Sequence, residues 1–363
     1  MTTSRNMQFF DEAETREALP FGALIERLRD MFRAGCTVPA RHVHTVGTGA
    51  ASGTVLIMPA WSDRYLGIKV VNVYPENGTR GLPGLFSTYT LFDAATGEPL
   101  AQMDGNVITS RRTAAASALA ASYLARKDAR CLTVLGAGRV GSLVPHAYSS
   151  LFALERIVIW DRTLLNAQRV ATALAAAGLP AVATDDRERA VREADIVSTA
   201  TLSRTPIVEG AWLQPASHLD LIGSFTPEMR EADDAALAAA AVFVDTDEAL
   251  RKSGDLLMPM SSGALSAGDV QGTLADLCRG TSVVRTSTSR RTVFKSVGTA
   301  LEDLAAAIHV YSEWSRRQDS DRAASADAPS FSATYEPPPP CLAYSAGTTT
   351  AALAPSDDHA ARC

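Results

Sequence analysis

The chemistry most legible in the chain lies in "LTVLGAGRVGSLVPHAYSSLFALERIVIWDRT", residues 132–163. Gly136, Gly138 and Gly141 form G-x-G-x-x-G directly after a β-type run and ahead of a helix, the context that gives this pattern meaning. There the first glycine permits the tight turn, the second lets backbone approach a pyrophosphate, and the third packs helix on strand. The loop's exposed N–H groups, through Ala137, Arg139 and Val140, and the helix dipole favour phosphate charge. Asp161 closes the second strand, where an acid binds the adenosine ribose hydroxyls. The expected cofactor is therefore a nicotinamide dinucleotide. Asp161 suits NADH, whereas Arg162 and Thr163 beside it could hold the 2′-phosphate of NADPH. Arg162 reads equally as a solvated loop charge; the expectation is NADPH, with NADH accepted.

A cofactor needs a substrate. Cations in apolar or turn-rich settings are the candidates to hold one: Arg41, Lys69 and the pair Arg111-Arg112. Lys69 sits in "YLGIKVVNVYP", which reads as a strand, so its ammonium either points outward or enters a cavity. Arg112 opens "RRTAAASALAASYLA", read as a helix with Thr113 in its first turn. A guanidinium beside free helix N–H groups suits an anion. No set of metal ligands is expected.

The elements that must position these groups follow from pattern and composition. The 363 residues suit two domains, and 46% hydrophobic with 20% charged residues is an ordinary globular composition. A net charge of −6 without a Lys/Arg stripe argues against nucleic acid. The five cysteines lack CxxC spacing, which points to reduced thiols, and neither a signal peptide nor a membrane-length apolar run is visible. A cytoplasmic location, away from membranes, is the expectation. Residues 1–125 combine an amphipathic helix, "ALPFGALIERLRDMFRAG", with strand-like runs punctuated by Asn-Gly, Pro-Gly and Thr-Gly turns. Residues 126–294 alternate short apolar strands with Ala-rich helices, implying a covered parallel sheet. Residues 292–318 read as a turn and a long helix packing back on the first region, and the Ala/Ser/Pro-rich stretch 319–363 reads as disordered.

The chain resembles the ornithine cyclodeaminase/μ-crystallin family over roughly residues 15–318. The resemblance rests on "VPARHVHT", "GTVLIMPAW", "YLGIKVVNVYPEN", "TSRRTAAASALAASYLAR", "VLGAGRVG", "LIGSFTPEMREAD", "VFVDT" and "FKSVGTALEDLAAA". It implies an α/β protein: a Rossmann dinucleotide-binding domain (126–294) plus an α+β substrate and dimerisation domain built from both chain ends (1–125, completed by 295–318). It also implies a homodimer. By resemblance Arg41, Lys69 and Arg112 hold the substrate carboxylate and flank the reacting carbon. Cofactor contacts fall on Arg112, Thr113, the Gly136–Gly141 loop and the segment after Asp161. They extend to Thr199, Ala200, Thr201 and Gly223 at strand ends, and to Val297 and Gly298.

Two departures bear on the reaction. Cyclodeaminases of this family carry a glutamate where "TVLIMP" offers Leu56, and an aspartate in the loop that here reads "GSFTP", with Ser224 and Phe225. Without that acid pair, ornithine cyclisation is hard to assemble. The resemblance is strongest to reductases of cyclic ketimines, Δ1-pyrroline-2-carboxylate and Δ1-piperideine-2-carboxylate, so a small cyclic imino acid is the expected substrate. Lys69 or His44 would protonate the imine nitrogen, and Leu56, Met58, Trp61 and Phe225 would wall the pocket. The alternatives are ornithine cyclodeaminase, alanine dehydrogenase, or an NADPH and small-ligand binding protein without turnover. The reductases usually carry acids where this chain has Arg290 and Arg291, a departure bearing on how the cofactor domain closes or the dimer packs.

Overall fold

In the first third of the chain, residues on alternate sides of the strands Tyr65–Val73, Leu85–Asp93 and Pro99–Asp104 differ in burial, and turn residues end the runs, so the strands pair as neighbours in one sheet. They are β1 (Gln8–Phe10), β2 (His42–Val46), β3 (Gly53–Trp61), β4 (Tyr65–Val73), β5 (Leu85–Asp93) and β6 (Pro99–Asp104), in spatial order β1-β6-β5-β4-β3-β2. All neighbours are antiparallel except β1 on β6. The computed structural model describes residues 6–49, 52–238, 240–282 and 290–326.

The later strands are short and mostly buried, as strands covered on both faces must be. They are β7 (Cys131–Leu135), β8 (Arg156–Trp160), β9 (Ala181–Thr184), β10 (Ile196–Thr199), β11 (His218–Leu221), β12 (Ala241–Val244), β13 (Val270–Thr273) and β14 (Thr292–Lys295). Their order is β13-β12-β14-β11-β10-β7-β8-β9, every pair parallel. Strand order reverses between β7 and β10, and a doubly wound sheet binds its ligand at such a switch point, outside the carboxyl ends.

The Gly105–Leu124 helix lies between the sheets. Its run of small residues, Ala114 to Ala121, is buried on every side, as expected of a helix with no solvent face. Ser117 donates to Asp220 of β11 (3.0 Å), tying this helix to the parallel sheet.

Three expectations change. The segment 292–295, read as a turn, is the strand β14, inserted between β11 and β12. Its only charged side chain, Lys295, is fully buried and neutralised by Asp255 at 3.2 Å, a pairing four residues of sequence cannot reveal. The terminal helix runs Ala300–Ala326, past the expected end at 318. Its Tyr311 and Trp314 meet Tyr65 and Phe10 edge-on, so it does pack back on the first sheet. The expected disorder beyond it lies outside the described residues. Arg112 is not in a first turn: the helix starts at Gly105, with Asp104 as its cap, so no free helix N–H groups stand beside the guanidinium. The two arginines before β14 are staples. Arg291 donates to the carbonyls of Gly210, Leu213, Ala235 and Ala236, and Arg290 to that of Ala240.

Candidate active site

The glycine turn is built for a ligand rather than for packing alone. A Cβ on Gly141 would lie 1.9 Å from the Gly136 carbonyl oxygen, and one on Gly136 (φ +115°) would lie 2.6 Å from that of Ala200. A Cβ on Gly138 would meet nothing within 4 Å, so the space above it is open. Among the described residues, the amides of Gly138, Arg139, Val140 and Gly141 donate to no protein acceptor, leaving a row of N–H groups for an anion. The helix that follows is shorter than the motif predicts, Val144–Ser149, because Arg139–Leu143 form tight turns first. Thr199 ends β10, with Ala200 and Thr201 after it beside the glycine turn. Gly223 follows β11, and the buried Glu231 binds that end of the sheet together: its carboxylate accepts from Gly223 N (2.6 Å), Thr201 N (2.7 Å) and Thr199 Oγ1 (2.7 Å).

Asp161 stands just past β8. It accepts from Ala137 N (2.9 Å) and Thr163 N (2.9 Å), and these bonds outweigh partial burial to hold its pKa below the usual value. Arg162 and Thr163 are exposed beside it. These parts fit a dinucleotide: open space, unpaired amides, and an acid fixed at the second strand.

Gly138→Ala is expected to leave thermal unfolding unchanged while raising the dissociation constant for the cofactor at least about tenfold, a difference of roughly 1.4 kcal/mol. Gly141→Ala, driven into a backbone oxygen, should destabilise the fold itself by about 1–3 kcal/mol. Melting curves and fluorescence titration separate the two.

Of the predicted cations, Arg41, Lys69 and Arg112 converge and bring acids that sequence reasoning did not single out, whereas Arg111 turns to the Leu19 carbonyl and the Phe21 ring. Lys69 aligns across the first sheet with Met58 on β3 and Tyr89 on β5, all on the inward face. Its Nζ lies 2.6 Å from Asp303 Oδ2, a close ion pair, and donates to Thr109 Oγ1 at 3.2 Å. Arg112 donates to Asp303 Oδ1 (2.9 Å) and Glu302 Oε2 (2.6 Å). Lys69, Arg112, Glu302 and Asp303 are all buried. Burial pushes Lys69 down to about 8 against the pull of Asp303. Burial also pushes Glu302 up to about 7, despite Arg112. Asp303 goes the other way: burial would raise it, but Lys69 and Arg112 outweigh that and hold it low.

Gly298 (φ +77°) joins these groups to Arg41. A Cβ there would meet the Arg112 guanidinium at 2.5 Å, and its carbonyl accepts from Arg41 at 3.3 Å. Asp245 fixes this turn by accepting from Val297 N (2.7 Å) and Gly298 N (2.6 Å). Arg41 also pairs with Glu248 (2.9 Å). Arg41, Met58, Glu248 and the Thr299–Leu301 segment line a cleft of about 540 Å³.

Thr113, next to Arg112, turns its hydroxyl to the Thr109 carbonyl at 2.6 Å. His44 does not join the cluster. It is exposed on β2 and sits opposite Val55, whereas Lys69 sits opposite Met58, so strand alternation puts the two on opposite faces of the sheet. Trp61 falls on that outer face too and cannot wall the pocket with Met58. Leu56 shares the face of Lys69, as the sequence suggests, and Phe225 is 48% exposed in the loop after β11. The acids at this site, Glu302 and Asp303, come from the last helix of the fold and are committed to the cations.

A doubly wound sheet with a phosphate-ready glycine turn at its switch point, together with a buried cluster of anion-binding cations, defines a dinucleotide-dependent oxidoreductase. The chain belongs to the ornithine cyclodeaminase/mu-crystallin family, which it matches over residues 12–318. It is 38% identical over 306 residues to a Δ1-pyrroline-2-carboxylate reductase of Paracoccus denitrificans, spanning 84% of this chain and 96% of that one. It is 35% identical over 284 residues to the ketimine reductase mu-crystallin of Rattus norvegicus, spanning 77% and 86%. The structure of a Thermococcus litoralis Δ1-pyrroline-2-carboxylate reductase, in complex with NADH and L-proline, superposes with a TM-score of 0.80 at 30% identity, covering 86% of this chain and 98% of that one.

Proposed function

We propose that the protein is an NAD(P)H-dependent reductase of C=N groups whose substrates are cyclic ketimines bearing a carboxylate. It would convert Δ1-pyrroline-2-carboxylate to L-proline and Δ1-piperideine-2-carboxylate to L-pipecolate. The observation that carries this reading is the buried Lys69–Arg112 pair, cationic and braced by Asp303, on the face that Leu56 keeps apolar. Similarity to two proteins named as reductases of this class supports it.

The bound nicotinamide would supply the hydride. The chain's own residues do the rest. Arg112 and Arg41 orient the carboxylate through paired charge-assisted hydrogen bonds. Lys69, its pKa lowered to about 8 by burial, holds near neutral pH the proton the imine nitrogen needs. The test is a substrate panel: cofactor oxidation with Δ1-pyrroline-2-carboxylate, and none with pyruvate plus ammonium, is the expected result. Ornithine converted to proline without added reductant would overturn it.

NADPH is the proposed physiological cofactor, with NADH accepted. Arg162, exposed beside Asp161, supports this reading as a cation that would meet a 2′-phosphate. Arg162→Ala should raise KM for NADPH about tenfold, one lost charge-assisted contact, and leave KM for NADH unchanged.

A homodimer is proposed as well. The outward face of the first sheet carries Val55, Ile57, Ile68, Val70 and Phe86, and β2 ends the sheet with Val43 and Val46 exposed. A second copy covering that face would appear as doubled mass in sedimentation. No helix among the described residues is long and apolar enough to cross a membrane, and Cys36, Cys131 and Cys278 are free thiols, in keeping with a proposed cytoplasmic location.

A further inference from the structure

Above about pH 7, where Glu302 is ionised, the four charges of the cation cluster already balance before any substrate arrives. Lys69 and Arg112 carry two positive charges, and Asp303 and Glu302 two negative ones, all four side chains at most 7% exposed. A substrate carboxylate lodged against Arg112 would add an unbalanced negative charge to a site shielded from water, which is costly unless a proton comes with it. Asp303 cannot accept that proton cheaply, because both cations hold it ionised. Glu302 can. It makes one contact, Oε2 to Arg112, while its buried Oε1 has no hydrogen-bond partner. The charged groups facing it are Arg112 from the Gly105–Leu124 helix, Lys69 from β4, Asp245 just past β12 and Asp303 beside it, so two of the four are acids. Burial together with Asp245 and Asp303 already lifts it to about 7.

We propose that Glu302 takes up a proton when a carboxylate ligand binds, keeping the buried cluster neutral and Arg112 free to grip the ligand. It is a positioning residue, acting through Arg112. This rests on the reading above that a carboxylate lodges at Arg112. Affinity for a carboxylate should then be flat below pH 7 and fall up to about tenfold per pH unit above it, one proton entering per site.

The test is calorimetric titration of the full-length protein, saturated with oxidised cofactor, with pyrrole-2-carboxylate, a flat carboxylate whose ring nitrogen does not titrate here. Runs at pH 6 and 8, in buffers of different ionisation enthalpy, count protons. The expected result is close to one proton taken up at pH 8, far less at pH 6, and none at either pH for Glu302→Gln, whose amide mimics the protonated acid. Lys69→Arg, which carries no titrating amine, should keep the uptake, so the idea stays testable if the glutamine variant fails to fold. Binding without proton uptake in the wild type overturns the proposal alone, as does uptake that survives in Glu302→Gln, which would assign the proton to Lys69. No binding of pyrrole-2-carboxylate overturns both this proposal and the substrate reading beneath it.

Discussion

Lys69→Met is expected to lower kcat/KM for a cyclic ketimine by about 10³-fold, the size of effect a positioned proton donor supplies together with its share of carboxylate binding. The reasoning is local. Lys69 is buried on the inward sheet face, paired with Asp303 and in line with Met58 of the cleft. Methionine keeps the volume but carries neither proton nor charge. Cofactor affinity should be unchanged, because the glycine turn lies on the other sheet; a Lys69→Met variant that loses cofactor binding has misfolded rather than lost chemistry. On the proposed role, the protonated form of Lys69 is the active one in the wild type. Since burial sets its pKa at about 8, log kcat/KM should decline as pH rises through 8, beyond any effect of Glu302. Lys69→Arg, permanently charged, should bind the carboxylate and fail mainly in kcat. Steady-state kinetics across pH 6–10 checks all three statements.

What the sequence reveals here is what is local. The glycine turn, its strand and the acid after β8 sit within 31 consecutive residues, 131–161, so spacing alone identifies them. The long runs that became β3, β4 and β5 are bounded by turn residues and are equally plain. The site is a different matter. Lys69 and Asp303 meet only because the two chain ends fold together, and a Glu-Asp pair at the start of a helix ordinarily reads as charge placed to suit the helix dipole. The likeness of "FKSVGTALEDLAAA" to the family marks that segment without saying that its acids neutralise Lys69 and Arg112. His44 shows the reverse failure. As an imidazole it reads as a candidate proton donor, yet the pairing of His44 with Val55 decides the face it takes, and a shift of one residue in register would have reversed the answer. Arg112 was found for a reason the fold does not support: the helix begins a full two turns earlier, and buried carboxylates, not free helix N–H groups, hold the guanidinium.

That last point makes Asp303 the residue on which the cluster's stability depends. Asp303→Ala leaves Lys69 and Arg112 buried together with only Glu302 to balance them, and removing one partner from a buried charge network costs about 3–5 kcal/mol. At roughly 2–4 °C per kcal/mol, typical of domains of somewhat smaller size, the melting temperature at pH 7 should fall by about 6–20 °C. Asp303→Asn, which keeps the shape and loses the charge, should fall in the same direction by less. The pH dependence gives the sign. The folded-state pKa of Asp303 is depressed, so its contribution is present above the ordinary aspartate value of about 3.9 and is lost as pH falls through the folded value. The gap between wild type and Asp303→Asn should therefore stay open from pH 7 down to about 4 and close only at lower pH. A gap that is already closed at pH 6 would mean that Asp303 is not ionised between the two cations, and the placement of charge in this site would have to be redrawn.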